Sequence, residues 1–169
     1  MAQSDVPAVS SPAFTWAWAA WDVVLHVPES VERLLLDHRQ GANAPERGGQ
    51  LFADLRGDEG MRVALATRPH RRDRAGRQWL ELDRWRCREE LIQATQQGLH
   101  LIGYWHTHPE AIPHVSPQDV QSFRAFTRAN TPRIRYPVCV IVGHDAIRAW
   151  SIREREIVEA TRLNVEAMR

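Results

Sequence analysis

Lysine is absent from this chain of 169 residues: all 22 basic side chains are arginine, set against 21 acidic ones. The net charge of +1 leaves no broad electrostatic footprint for nucleic acid, so a dedicated DNA or RNA binder is not expected. Cysteine is nearly absent. Cys87 and Cys139 form no Cys-x-x-Cys pair, which excludes a disulfide framework and a thiolate zinc cluster and suits a reducing compartment. Any metal site must come from histidine and carboxylate. No run approaches the roughly 18 apolar residues of a membrane span. The first eleven residues carry no basic side chain ahead of an apolar run, and Asp5 stands among them. The expectation is a soluble, cytoplasmic protein with no membrane partner. Repeats and low-complexity tracts are missing too, and this length fits one domain with an ordinary core.

What is present reads as alternating strands and helices. Residues 1–13, with Pro7, Ser10, Ser11 and Pro12, are expected to form a flexible tail, and residues 14–169 the domain. Val23–Val27 is β-branched and stops at Pro28, after which an acidic start and clustered leucines predict a helix to about Arg39. Gln50–Leu55 and Met61–Ala66 predict a hairpin turned at Gly57–Gly60. Arg68–Arg77, with five arginines and no periodicity, is expected to be an exposed loop. A polar helix over Leu82–Gln97 should end at Gly98, followed by a strand from Leu99, a helix over Pro117–Thr127, a buried strand over Pro137–Val142 and its hairpin partner Ile147–Ile152. From Arg153 onward the pattern fits either an amphipathic helix or a strand with a frayed end.

The chemistry concentrates in His106-Thr107-His108-Pro109 and Ser116-Pro117-Gln118-Asp119. Alternate residues of a strand share a face, so His106 and His108 can reach one ion, and a chain turning through Pro109–Val115 can return Asp119 as a third ligand. Two nitrogens and one carboxylate leave the fourth position of a tetrahedral zinc for water, the arrangement of a catalytic rather than a structural site. Multiplying this chain's own frequencies of His, Ser and Asp gives roughly one accidental match to that spacing in a thousand. Ser-Pro-x-Asp is also a helix N-cap with proline at the first helical position, and a capped helix would hold the ligand still.

With Glu46-Arg47-Gly48-Gly49-Gln50-Leu51 upstream, these segments resemble the JAB/MPN metalloprotease family, whose pattern is Glu, then His-Ser/Thr-His, seven residues, Ser, two residues and Asp. The resemblance spans about Val23 to Ile152. The Gly-x-Trp-His-Thr-His-Pro wording and Asp73-Arg74-x-x-Arg77 look most like the bacterial JAB enzymes of antiphage operons that also encode ubiquitin-activating and ubiquitin-conjugating homologues. The resemblance implies a single α/β domain of cytidine-deaminase-like architecture, a mixed curved sheet with one long helix on each face. It implies a zinc-dependent hydrolase of the amide after the C-terminal glycine of a ubiquitin-like protein. Its partners would be that protein's tail, its conjugates and the operon's activating and conjugating enzymes. His106, His108 and Asp119 would bind zinc, Glu46 would be the general acid/base and Ser116 would stabilise the oxyanion. A non-catalytic scaffold of the same fold and a processing peptidase for sulfur-carrier proteins are the alternatives.

Other residues carry less. His108-Pro109-Glu110 matches the His-x-Glu of zinc deaminases, but the required Pro-Cys-x-x-Cys is missing. Two histidines and a carboxylate can also hold Fe(II). Glu110 and His114 are candidates for the leaving-group side, Cys87 reads as inert, and Gly48-Gly49 as a point of close backbone approach. The arginine-rich loop could meet an acidic face of a partner, with plain solvation the simpler reading. A chain without lysine is immune to isopeptide modification except at its α-amine, although a GC-rich genome that favours arginine codons is the simpler explanation.

Overall fold

A computed structural model describes residues 12–57 and 60–164. Eleven strands and three α-helices occur among these residues: β1 (Pro12–Trp18), β2 (Val23–Pro28), α1 (Glu29–Asp37), β3 (Gly48–Asp54), β4 (Met61–Ala66), β5 (Arg74–Gly76), β6 (Trp79–Glu81), α2 (Arg84–Gln96), β7 (His100–Thr107), α3 (Pro117–Asn130), β8 (Val138–Val142), β9 (Ile147–Arg153), β10 (Glu156–Glu159) and β11 (Thr161–Asn164). The fold is mixed α/β. Nine strands form one sheet in the order β10-β9-β8-β7-β3-β4-β2-β1-β11, and β5 and β6 form a separate hairpin. The two outermost strands, β10 and β11, are separated in the chain by Ala160 alone. The sheet must therefore curl until its edges nearly meet, and Trp18 Nε1 donates to Val158 O at 3.0 Å across that seam.

Inside the curl, Phe14, Trp16, Leu25, Leu51, Val63, Trp105, Val138 and Val140 are buried together with Val31 and Leu35 of α1. Each such side chain contributes roughly 1.5–3 kcal/mol by leaving water. The opposite face of β8 and β9 presents Cys139, Ile141, Trp150 and Ile152 to Phe123 of α3. One long helix on each face was the expectation, and it needs correction. The nine-residue α1 packs in the curl, while α2 and α3 both lie outside and flank a groove floored by Leu101, Gly103 and Tyr104. The reason lies in α2, whose polar surface buries only Arg86 and Ala94 and so can sit at a wet edge.

The strand, helix and hairpin boundaries expected between Val23 and Ile152 agree with the structure within a few residues. The stretch from Arg153 resolves into β10 and β11, because Glu156–Glu159 pairs with β9 and Thr161–Asn164 with β1, partners that periodicity does not reveal. Pro12 and Ala13 of the expected tail belong to β1, where Pro12 pairs with Pro28. The remainder of the expected tail, residues 1–11, and the last five residues, 165–169, lie outside the described residues. The Arg68–Arg77 loop departs from its expectation, since it contains β5 and its Asp73 is buried. Among the described residues no helix is long and apolar enough to cross a membrane.

Candidate metal centre

β7 and β8 run parallel and are joined by α3, so the N-terminus of α3 returns beside the carboxyl end of β7. That crossover builds the site. His106 is the penultimate residue of β7 and His108 lies just beyond it, held by its backbone N–H to Val142 O at 3.0 Å. Pro117 opens α3 and Ser116 caps it: Ser116 Oγ accepts from Asp119 N at 3.1 Å, and Asp119 Oδ2 accepts from Ser116 N at 2.7 Å. The box fixes Asp119 on the first turn, where its negative charge also suits the helix dipole.

The three side chains converge. His106 Nε2 is 2.9 Å from Asp119 Oδ1, His108 Nε2 is 3.3 Å from Asp119 Oδ2, and the two Nε2 atoms are 3.2 Å apart. One donor atom from each lies within 4.8 Å of the others, and both histidines are buried. Burial would raise the Asp119 pKa, but hydrogen bonds from His106 and His108 hold it far below the usual carboxylate range. For His108 burial acts to lower the pKa, and Asp119, Glu46 and Glu110 outweigh it and raise it. The Nδ1 atom of His106 is buried with no hydrogen-bond partner.

Glu46 faces the same cavity of about 190 Å³ as His106 and Asp119. It is 6% exposed, and its carboxyl is raised from 4.5 to about 7, first by burial and then by Asp119, with His108 opposing. Such a group exchanges protons near neutral pH. Long-range bonds hold it there. Glu46 N donates to Gly76 O at 2.8 Å, and Thr107 N donates to Arg47 O at 2.9 Å. Thr107 Oγ1 accepts from Arg47 N and donates to Gln40 Oε1, whose amide nitrogen in turn donates to Ala44 O and Arg77 O. Gly48 lies opposite His106 in the β3–β7 ladder. A Cβ there would stand 2.3 Å from Trp105 O and 2.5 Å from Leu80 Cδ2, so only glycine lets the two backbones and the hairpin close together.

Every residue of the expected set is thus placed. Glu46, His106 and Asp119 share the cavity, His108 completes the donor cluster, and the Ser116 hydroxyl takes part in the helix cap. Glu110 does not line the cavity: its carboxylate lies 3.6 Å from His108 Nδ1 and 3.7 Å from His114 Nδ1, behind the donor cluster. Cys87 is half-buried, and burial pushes its thiol up to about 11, away from nucleophilic use. Sequence reading misses Gln40, Trp79 and Leu80 and the bonds Thr107 makes, because these contributions are contacts with distant segments that no local pattern marks.

The site is one of two histidines and one carboxylate on a strand-to-helix crossover of a curled α/β sheet, with a desolvated glutamate beside it. Residues 28–153 match the family of prokaryotic homologs of the JAB domain, and the chain belongs to that family. It is 29% identical over 147 residues to a protein of Pseudomonas aeruginosa (strain BWHPSA011 / Pa011) named CD-NTase/cGAS isopeptidase, covering 79% of this chain and 87% of that one. In fold it is similar to the solution structure of protein DSY2949 from Desulfitobacterium hafniense, with a TM-score of 0.57 at 17% identity over 78% of this chain and 86% of that one.

Proposed function

We propose that this protein is a zinc-dependent peptidase or isopeptidase that hydrolyses the amide bond after the C-terminal glycine of a ubiquitin-like protein, in bacterial antiphage defence. The observation that carries this reading is the convergence of His106, His108 and Asp119 beside a desolvated Glu46. The name of the Pseudomonas relative supports the reaction class and the setting. The donors fit zinc: two ligands about 2.0–2.1 Å from a tetrahedral ion stand roughly 3.3 Å apart, the two histidine Nε2 atoms are 3.2 Å apart, and one donor atom from each of the three residues lies within 4.8 Å of the others. His106, His108 and Asp119 would hold the ion, which supplies Lewis acidity and brings the pKa of a water to about 7. The cytidine-deaminase-like architecture belongs to the same reading, supported by the β7–α3–β8 crossover that sets the ligands.

Glu46 does the proton work. In its carboxylate form it takes the proton of the attacking water as the water oxygen bonds to the carbonyl carbon. It returns that proton to the amine nitrogen as the C–N bond breaks, because an unprotonated amine leaves poorly. Ser116 Oγ accepts from Asp119 N and its hydroxyl is held beside the Asp119 carboxylate; turned toward the substrate, that hydroxyl would meet the charge on the carbonyl oxygen, a contribution of order 3 kcal/mol in other acyl-transfer sites. Specificity for glycine before the bond belongs to the same reading, with an extended tail passing the Trp79 and Leu80 wall of the cavity. The partners are then the tail and conjugates of that ubiquitin-like protein, with the activating and conjugating enzymes of the same system.

Elemental analysis of protein purified without added metal tests the centre: about one zinc per chain is expected, and iron as the dominant metal overturns the assignment. Cleavage of glycine-ended ubiquitin-like precursors and conjugates, with and without a chelator, tests the reaction. Replacing the terminal glycine with a bulky residue should abolish cleavage, whereas equal turnover of unrelated unfolded peptides would make this a general peptidase.

A further inference from the structure

Five arginines lie between residues 68 and 77, and the one acidic side chain among them, Asp73, is turned inward. Its carboxylate accepts from the backbone N–H of His70, the backbone N–H of Asp83 and the guanidinium of Arg86. The segment is therefore anchored rather than loose. Asp73 N donates to His70 O at 2.9 Å and closes a turn with Arg71 and Arg72 exposed at its corner. Arg77 is exposed in the two-residue turn between β5 and β6. Of the five arginines, Arg74 alone meets a carboxylate among the described residues, Glu81 at 3.7 Å, with both side chains largely in solvent. Positive charge is thus held in place without a countercharge of its own.

The same hairpin forms one wall of the candidate site. Gly76 O accepts from Glu46 N, and Gln78, Trp79, Leu80 and Leu82 line the cavity. β5 advances about 3.3 Å per residue, which sets Arg74 roughly 7 Å from Gly76, and the Arg71–Arg72 corner lies beyond it across the turn, at most about 17 Å away. An extended chain reaches Arg74 in about two residues and the corner in up to about five. We propose that Arg71, Arg72 and Arg77 form a preset rim that selects substrate chains with acidic residues three to five positions before the scissile bond. This rests on the hydrolase reading above and specifies its substrate class. Anchoring through Asp73 means that little order is lost on binding, and rim charges act on encounter and on choice of partner. A polynucleotide is the poorer fit, since Glu81 is exposed beside Arg74 and the chain as a whole is nearly neutral.

The test uses two synthetic peptides ending in Gly-Gly-aminomethylcoumarin, one with Glu at the third to fifth positions before the bond and one with Gln. The zinc-loaded full chain should turn over the acidic peptide with about tenfold higher kcat/KM at low salt, a preference that shrinks as salt rises. The ratio should fall to near one in Arg71→Gln/Arg72→Gln and invert in Arg71→Glu/Arg72→Glu. Equal turnover of both peptides, or a ratio that the variants leave unmoved, overturns the proposal. Fluorescence anisotropy of the same two peptides as free acids reads the rim without catalysis. A binding preference with no cleavage sustains the rim and sinks the hydrolase reading, and cleavage with no preference does the reverse. Tighter binding of a fluorescein-labelled single-stranded oligonucleotide than of the acidic peptide, lost in the same variants, overturns the proposal in favour of nucleic acid.

Discussion

Two buried charged clusters lie on either side of Gly48, and they differ in how far their polar atoms are satisfied. In the first, the Arg86 guanidinium uses every donor: two bonds to Asp73, one to Glu90, one to Thr67 Oγ1 and one to Gly48 O. Desolvation acts against both charges, yet the hydrogen bonds hold Asp73 below and Arg86 above their ordinary values, so both stay ionised. In the second, two imidazoles and two carboxylates crowd together with no arginine among them, one histidine nitrogen has no partner, and Glu46 is pushed to about 7. A closed network ties segments together. An open one, costly unless something completes it, marks a place where an ion and a substrate belong. Both contain buried charge, so burial alone does not separate structure from function, whereas satisfaction does.

The comparison breaks most visibly at Glu46. Glu46→Gln should retain zinc and the fold while kcat falls by about two to four orders of magnitude. Near-native cleavage by that variant would move the general base elsewhere. The closed cluster should answer in stability instead. Arg86→Met leaves Asp73 and Glu90 without their shared cation and should cost about 3–5 kcal/mol in chemical denaturation, with the zinc stoichiometry unchanged. A loss under about 1 kcal/mol would show that the network ties nothing together.

The sign of pH dependence sharpens the contrast. In metal-free protein, Glu46 has a folded value of about 7 against 4.5 for an ordinary side chain, so the folded state binds the proton more tightly. The stability this lends is full below about pH 4.5 and is lost as pH rises through 7. Glu46→Gln stays neutral, and its stability relative to the native protein should rise between pH 5 and 8 by about 3 kcal/mol. Parallel curves would show that the carboxyl is not held in a desolvated setting. Ser116→Ala has the smallest effect on stability, about 1 kcal/mol through the lost cap, measured by thermal melting.

The donors were legible because they are local. His106 and His108 share a strand face by alternation, and Ser116-Pro117 announces the helix that fixes Asp119. Glu46 was legible only through family resemblance, since nothing in residues 41–47 ties it to a strand sixty residues away. The bonds that do so run through Thr107, Gln40 and Gly76. The arginine-rich segment misled for a related reason: composition reports its solvated side chains but not the single inward carboxylate that orders it.

By itself, then, the amino-acid order determined the strand and helix pattern, the absence of thiolate chemistry, the two-histidine strand end and the capped helix. All of these depend on residues within about a dozen positions of one another. Only the tertiary structure decided that the sheet curls until β10 and β11 approach from opposite edges, that α2 and α3 share a face, that Arg86 is buried against Asp73, and that Glu46 is dry enough to titrate near neutrality. Those outcomes depend on which distant segments exclude water from one another, and a side chain's neighbours in space are not written in its neighbours along the chain.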